Sequence, residues 1–151
     1  MKIPIMLRVL IPTDLSRGAA NALRYAMQLT QGMDVELILF QGNVIPVPMA
    51  EMPIVTDMPN KDDTVKSMNE EVQKVAASLQ QKDNKNISCM VSAGLSLAPM
   101  IEDAAAQAKA DLIVMGTHGA TGIIKVLIGS NTVSVIETSK HPVLIVPEHY
   151  E

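Results

Sequence analysis

The sequence predicts an α/β fold: an open parallel β-sheet with helices on both faces. Short, nearly continuous apolar runs recur along the chain, the pattern of strands buried on both sides. Between them lie segments whose apolar residues repeat with the helical period. The 151 residues, 48% of them hydrophobic, suffice for a single domain over 1–151 whose core needs no staples.

The elements follow in order. Ile5 to Ile11 is apolar except for Arg8 and reads as the first strand. Ser16 is placed to cap a helix whose buried face is Ala19, Ala22, Leu23, Ala26 and Met27, at offsets 0, 3, 4, 7 and 8. Val35 to Phe40 is the second strand. Gly42 to Asn60 then breaks the rhythm with Pro46, Pro48, Pro53 and Pro59 among Met49, Met52 and Met58. It is too long for an ordinary connection and reads as a flap or a surface loop. Its three Met residues have no His beside them, which argues against a copper site.

Val65, Met68, Val72, Val75, Ala76 and Leu79 mark the second helix. Ile87 to Val91 is a more mixed strand, suited to a place near the sheet edge. Ser96 caps a third helix carrying Leu97, Ile101, Ala104, Ala105 and Ala108, with Pro99 tolerated in its first turn. Leu112 to Met115 is the fourth strand. A short, β-branched helix spans about Ser130 to Ser139, where packing must outweigh propensity. Lys140-His141-Pro142 stops it and launches the last strand, Val143 to Val146. Such β-α alternation requires right-handed crossovers and a parallel sheet.

Composition excludes several classes of function. Lys and Arg total 12 against 16 Asp and Glu, a net charge of −4 with no basic run, which suits neither nucleic acid nor an anionic membrane. Tyr25, Tyr150 and Phe40 are the whole aromatic complement, so no stacking platform for bases exists. Cys89 stands alone and fits a reducing compartment. The apolar run Ile3 to Pro12 is short, broken by Arg8, and leads into no small-residue cleavage site. A cytoplasmic protein is the expectation.

Ligands of open parallel sheets bind beyond the carboxyl ends of the strands, where the strand order reverses. Two strand ends carry unusual residues. The first is followed by Pro12-Thr13-Asp14 and Ser16; the fourth runs into Gly116-Thr117-His118-Gly119, and Gly129-Ser130-Asn131 opens the last helix. Glycines let a backbone approach a ligand and leave its amides uncovered, and a helix N-terminus favours an anion. Ser130 and Thr132 add hydroxyl donors. Leu112 to Ile136 contains no Asp or Glu, while Lys125 adds one positive charge. Two readings stand at this point: a phosphate cradle, or ordinary turns with Ser130 as a helix cap. The P-loop pattern and a G-x-G-x-x-G after the first strand are both missing, which disfavours P-loop NTPases and dinucleotide dehydrogenases.

Gly116-x-x-Gly119, nine residues, then Gly129-Ser130 resembles the G-2x-G-9x-G-[ST] pattern of the ATP-binding branch of the universal stress protein family. Pro12-Thr13-Asp14-x-Ser16, Asp111-Leu-Ile-Val-Met-Gly116 and Pro142-Val-Leu-Ile-Val-Pro147 agree with it, so the resemblance covers essentially the whole chain. It implies a Rossmann-like, adenine nucleotide alpha hydrolase-like sheet of five strands in order 3-2-1-4-5. It implies adenine and ribose near Pro12, Thr13 and Asp14, with Met115, Gly116, His118 and Gly119 around the ribose and α-phosphate. Gly129, Ser130, Asn131 and Thr132 would take the outer phosphates of ATP, with Mg²⁺ or Mn²⁺ bridging phosphate oxygens. Asp14 also suits a helix N-cap. A homodimer through the last strand, 143–147, is implied too, because an apolar sheet edge invites pairing.

One departure stands out. Where the family shows His and then an aliphatic residue that touches adenine, this chain has Gln41-Gly42. The apolar cover over a base at Gly42 is thereby removed, and the Met-rich loop is a conceivable replacement lid. Near the glycines, the sequence places His118 and Lys125 as the only groups for catalysis and no carboxylate. The expectation is a nucleotide-responsive stress regulator, non-enzymatic or hydrolysing ATP slowly. Its first rival is a dimeric interaction protein with an emptied pocket. The second, an adenylating enzyme, is disfavoured because the S-G-G-x-D-S loop of such proteins is absent.

Overall fold

The computed structural model describes residues 6–47, 60–83, 85–118 and 128–149. Nine elements alternate: β1 (Leu7–Pro12), α1 (Arg17–Leu29), β2 (Val35–Val44), α2 (Lys61–Asp83), β3 (Asn86–Gly94), α3 (Leu97–Ala108), β4 (Leu112–Gly116), α4 (Ser130–Thr138) and β5 (Val143–Val146). The strands form one parallel sheet in the order β3-β2-β1-β4-β5, as the resemblance implied.

Burial explains the layers. Val9, Ile11, Leu37 and Leu39 point to one face, where Ala22 and Ala26 of α1 and Val72 and Ala76 of α2 meet them. Leu10, Ile38 and Phe40 point to the other, against Ile101, Ala104 and Ala105 of α3 and Val135 of α4. Both faces are therefore apolar, which is why the strands read as continuous runs rather than alternating ones.

Two sequence expectations are adjusted, for β2 and for the start of α4, and the choice of cap for α1 is decided in favour of Ser16. β2 runs on to Val44, so Gly42 to Val44 belong to a strand that pairs with β3 through Val44↔Gly94, not to a loop. Residues 48–59 of the proposed flap lie outside the described residues. The cap of α1 is Ser16, whose hydroxyl accepts from Ala19 N at 3.3 Å, rather than Asp14. The cap position of α4 is Gly129, and Ser130 is its first helical residue. No described helix is long and apolar enough to cross a membrane.

Candidate functional site

The strand order reverses at β1, which lies between β2 and β4. With β2 it pairs along its whole length, Leu7↔Val35 to Pro12↔Phe40. With β4 it pairs only at Val9↔Leu112 and Leu10↔Ile113, although both strands continue to Pro12 and Gly116. The two carboxyl ends part, and a crevice opens between them at the place this topology reserves for ligands.

Its walls are Pro12, Thr13, Asp14, Ala19, Phe40, Gly42, Leu97, Met115, Gly116, His118, Asn131 and Thr132. Nine of these are residues singled out from the sequence: Pro12, Thr13, Asp14, Gly42, Met115, Gly116, His118, Asn131 and Thr132. Gly129 and Ser130 stand beside the crevice at the start of α4 without lining it, and Gly119 and Lys125 lie outside the described residues. Ala19, Phe40 and Leu97 were missed. The signal for Phe40 was available: strand alternation puts it on the same face as Gly42. The crevice holds ≈ 90 Å³. A groove between α1 and α2 is larger, ≈ 690 Å³, but it lies away from the strand ends and the glycines.

The loop after β1 is held by its own side chains. Thr13 N donates to Phe40 O at 2.7 Å, continuing the ladder past the strand. Leu15 N donates to Thr13 Oγ1 at 3.1 Å and Ser16 N to Asp14 Oδ1 at 2.9 Å. Leu15, between them, sits in the left-handed region at φ 62°, a conformation that costs a non-glycine residue about 1 kcal/mol or more. The hydrogen bonds on either side keep it there and fix Thr13 and Asp14 at the mouth of the crevice.

Opposite, the glycines make close approaches possible. A Cβ on Gly116 would stand 2.9 Å from Gly18 O, and one on Gly18 would stand 2.6 Å from His118 O. The start of α1 thus lies directly on the end of β4, backbone against backbone. Gly129 N donates to Thr117 O at 2.7 Å, which docks the start of α4 onto the same segment. Thr132, 3% exposed, donates from Oγ1 to Gly116 O at 3.1 Å. Its hydroxyl, anticipated as a phosphate donor, holds α4 to β4 instead.

Among the described residues no side chain caps α4: Gly129 has none to offer, and its extended backbone leads straight into Ser130 and Asn131, both exposed. The first amides of a helix have no intrahelical acceptor and carry the positive end of its dipole. His118, its side chain 14% exposed, lies nearby with Nδ1 3.1 Å from Thr117 Oγ1 and 3.9 Å from Glu148 Oε2. The expectation that no carboxylate lies near the glycines is corrected here: Glu148 comes from beyond β5, a distance in sequence that no local motif reveals. Among the described residues no group of three His, Cys, Asp or Glu is arranged to hold a metal ion.

The departure at Gln41-Gly42 also resolves. Alternation sends Gln41 to the face of α1 and α2, where its Oε1 is buried with no hydrogen-bond partner among the described residues, and Gly42 alone of the pair lines the crevice.

The model of the universal stress protein family matches residues 6–147. The chain belongs to the universal stress protein family. Over 140 residues it is 29% identical to the universal stress protein MJ0531 of Methanocaldococcus jannaschii, covering 92% of this chain and 81% of that one. Two solved structures share its fold. A universal stress protein in complex with cAMP has a TM-score of 0.62 at 22% identity, covering 95% of this chain and 98% of its own. The universal stress protein of Archaeoglobus fulgidus in complex with dAMP has a TM-score of 0.61 at 20% identity, with the same 95% and 98% coverage. The universal stress protein fold thus accounts for the sheet order found here.

Proposed function

We propose that this chain binds an adenine nucleotide in the β1/β4 crevice and acts as a nucleotide-responsive regulator in a stress response rather than as an enzyme. The observation that carries the reading is the opening of the crevice onto the uncapped N-terminus of α4. An apolar recess beside the positively polarised first amides of a helix suits a ligand with a flat apolar end and an anionic end. Relatives of the same fold in complex with cAMP and dAMP support the adenine nucleotide class. At ≈ 90 Å³ the crevice takes one moiety, since whole-ligand pockets run to roughly 300–1,000 Å³. The base enters it, and the phosphates of ATP extend along Gly129, Ser130 and Asn131. Mg²⁺ or Mn²⁺ would join through phosphate oxygens, as hard cations do. Hydrolysis requires a positioned water or base and stabilisation of the transferred phosphoryl group. The Nδ1 of His118 is already engaged by Thr117, which suits a binding role.

The test adds a charge without changing shape. Asn131→Asp places a carboxylate at the second position of α4, where it favours the helix and opposes a phosphate. Calorimetric titration should show MgATP binding to the wild type and a loss of about tenfold or more in the variant, the order expected for one unit of like charge a few ångströms away. The melting temperature should stay level or rise. Equal affinity in the two proteins would remove the phosphates from α4.

A second reading, a dimeric interaction protein without nucleotide, draws on the packing roles found for Gly116 and Thr132. Absence of any MgATP binding to the wild type would favour it. Both readings include a homodimer through β5, an edge strand, beside which Val133 and Ile136 of α4 are 38% and 47% exposed. Light scattering at micromolar concentration should give twice the 16.3 kDa chain mass, and a monomer would refute it.

A further inference from the structure

We propose that Leu97, the first residue of α3, takes the place of the missing side chain at position 42 as the apolar wall that a bound base packs against. The Leu97–Gly42 pair thereby determines how tightly the chain holds the base. This rests on the nucleotide reading above and adds a residue to it.

Gly42 looks like a gap in the sequence but is filled in the fold. A Cβ built on it would stand 2.8 Å from Leu97 Cδ1, 3.2 Å from Met100 Cε and 3.3 Å from Phe40 Cε1. The backbone there does not demand glycine, because among the described glycines only Gly32 has a positive φ. The residue type therefore answers to what sits on it. On β3, Gly94 does the same for the next turn: its Cβ would stand 3.0 Å from Met100 Sδ. Gly42 pairs with Ser92, and Val44 pairs with Gly94. The two glycines thus form a depression at the carboxyl ends of adjacent strands, and the first turn of α3 settles into it. That seating brings Leu97 to the crevice, where it lines the wall together with Phe40, Gly42 and Met115.

The two nearest atoms, on Leu97 and Met100, are the far ends of flexible side chains, while the third belongs to the buried Phe40 ring and stays in place. A side chain added at 42 therefore pushes Leu97 aside without disturbing the backbone, and the two residues compete for one volume. This gives a reciprocal prediction. In the wild type, Gly42→Val displaces Leu97 and weakens AMP binding. In Leu97→Ala, where the wall is gone, the same Gly42→Val rebuilds it and strengthens binding.

The experiment titrates wild type, Gly42→Val, Leu97→Ala and the double variant with AMP, and with ribose 5-phosphate, which lacks the base. Leu97→Ala should lose about fivefold to fifteenfold in AMP affinity, the worth of one to two buried methylenes, and nothing in ribose 5-phosphate affinity. The effect of Gly42→Val should change sign between the two backgrounds. Additive effects, or an equal loss for both ligands, would overturn the proposal. Should Leu97→Ala fail to fold, Gly42→Ala reads the same pair without truncating α3, and unchanged AMP affinity there overturns it. Failure of wild type to bind AMP at all is a different result, because it removes the nucleotide reading itself.

Discussion

Replacing Gly18 with alanine sets two effects of opposite sign against each other. Gly18 is the second residue of α1, and alanine is favoured over glycine in a helix by at most about 1 kcal/mol. Propensity alone predicts a more stable protein. The new Cβ, however, would stand 2.6 Å from His118 O, a backbone atom that cannot rotate away. Ordinary contact begins at 3.4 Å, so α1 and the end of β4 must separate by 3.4 − 2.6 = 0.8 Å. Overpacking of this kind costs about 1–3 kcal/mol. The net expectation is a loss of about 0–2 kcal/mol after a helix gain of about 1 kcal/mol is subtracted.

Urea denaturation followed by circular dichroism reads it. The midpoint should fall with an unchanged slope, and the melting temperature should drop by up to about 8 °C for a domain of this size. Gly32→Ala is the control: its φ of 77° strains any side chain, yet nothing lies within 4 Å of its Cβ. It should destabilise by about 1 kcal/mol through the backbone alone. Only Gly18→Ala should also weaken nucleotide binding, because it moves His118. A Gly18→Ala protein about 1 kcal/mol more stable than the wild type, the full helix gain, would show that α1 does not lie on β4, and the crevice wall built from that approach would go with it.

The remaining predictions use different observables. For Glu102, burial pushes the carboxyl up, but the Ser139 hydroxyl, the Lys140 amide and His141 together hold it below the ordinary 4.5. An acid with a lowered folded pKa stabilises the fold fully above its unfolded value, and that contribution fades as pH falls through the folded one. Glu102→Gln should therefore cost about 1 kcal/mol at pH 7, discounted for partial exposure, and progressively less as the pH falls below the unfolded carboxyl range; a pH-independent gap in urea midpoints would refute the assignment. The charge at Asn131, the reciprocal Leu97–Gly42 titration and the solution mass complete the set. Together they address the phosphate end, the base end and the β5 edge.

The fold was legible because both faces of the sheet are buried, so each strand announced itself as an apolar run. Boundaries were less so. β2 reads as ending at Phe40, since Gln41-Gly42-Asn43 carries no apolar pattern, yet backbone pairing with β3 extends it to Val44. Of the candidate site, Pro12, Thr13, Asp14, Gly116 and His118 were legible from their positions beyond strand ends, whereas Met115 and Gly42 came only through the family resemblance. Leu97 was not legible, because its approach depends on two glycines in two strands remote in sequence. Glu148 was hidden for the same reason: His118 meets it only once β5 lies beside β4.

The same logic shows why a glycine pattern cannot by itself distinguish a ligand cradle from a packing device. Gly116 lines the crevice and, at the same atom, admits Gly18 O; Gly42 lines it and admits Leu97. A binding protein and an emptied relative would both need these glycines to keep α1 and α3 seated. What differs between the two cases is the start of α4. A structural helix end gains about 0.5–2 kcal/mol from a side-chain cap. Here the position is taken by Gly129, which supplies none, whereas α1 is capped by Ser16 and α3 has Ser96 at its cap position, though without a side-chain cap bond. Gly129→Ser should therefore stabilise the domain in urea by a few tenths of a kcal/mol, since glycine is itself a tolerated cap, and reduce MgATP affinity by occupying an amide the phosphate needs. A variant that gains stability without losing affinity would assign that helix end to the fold alone.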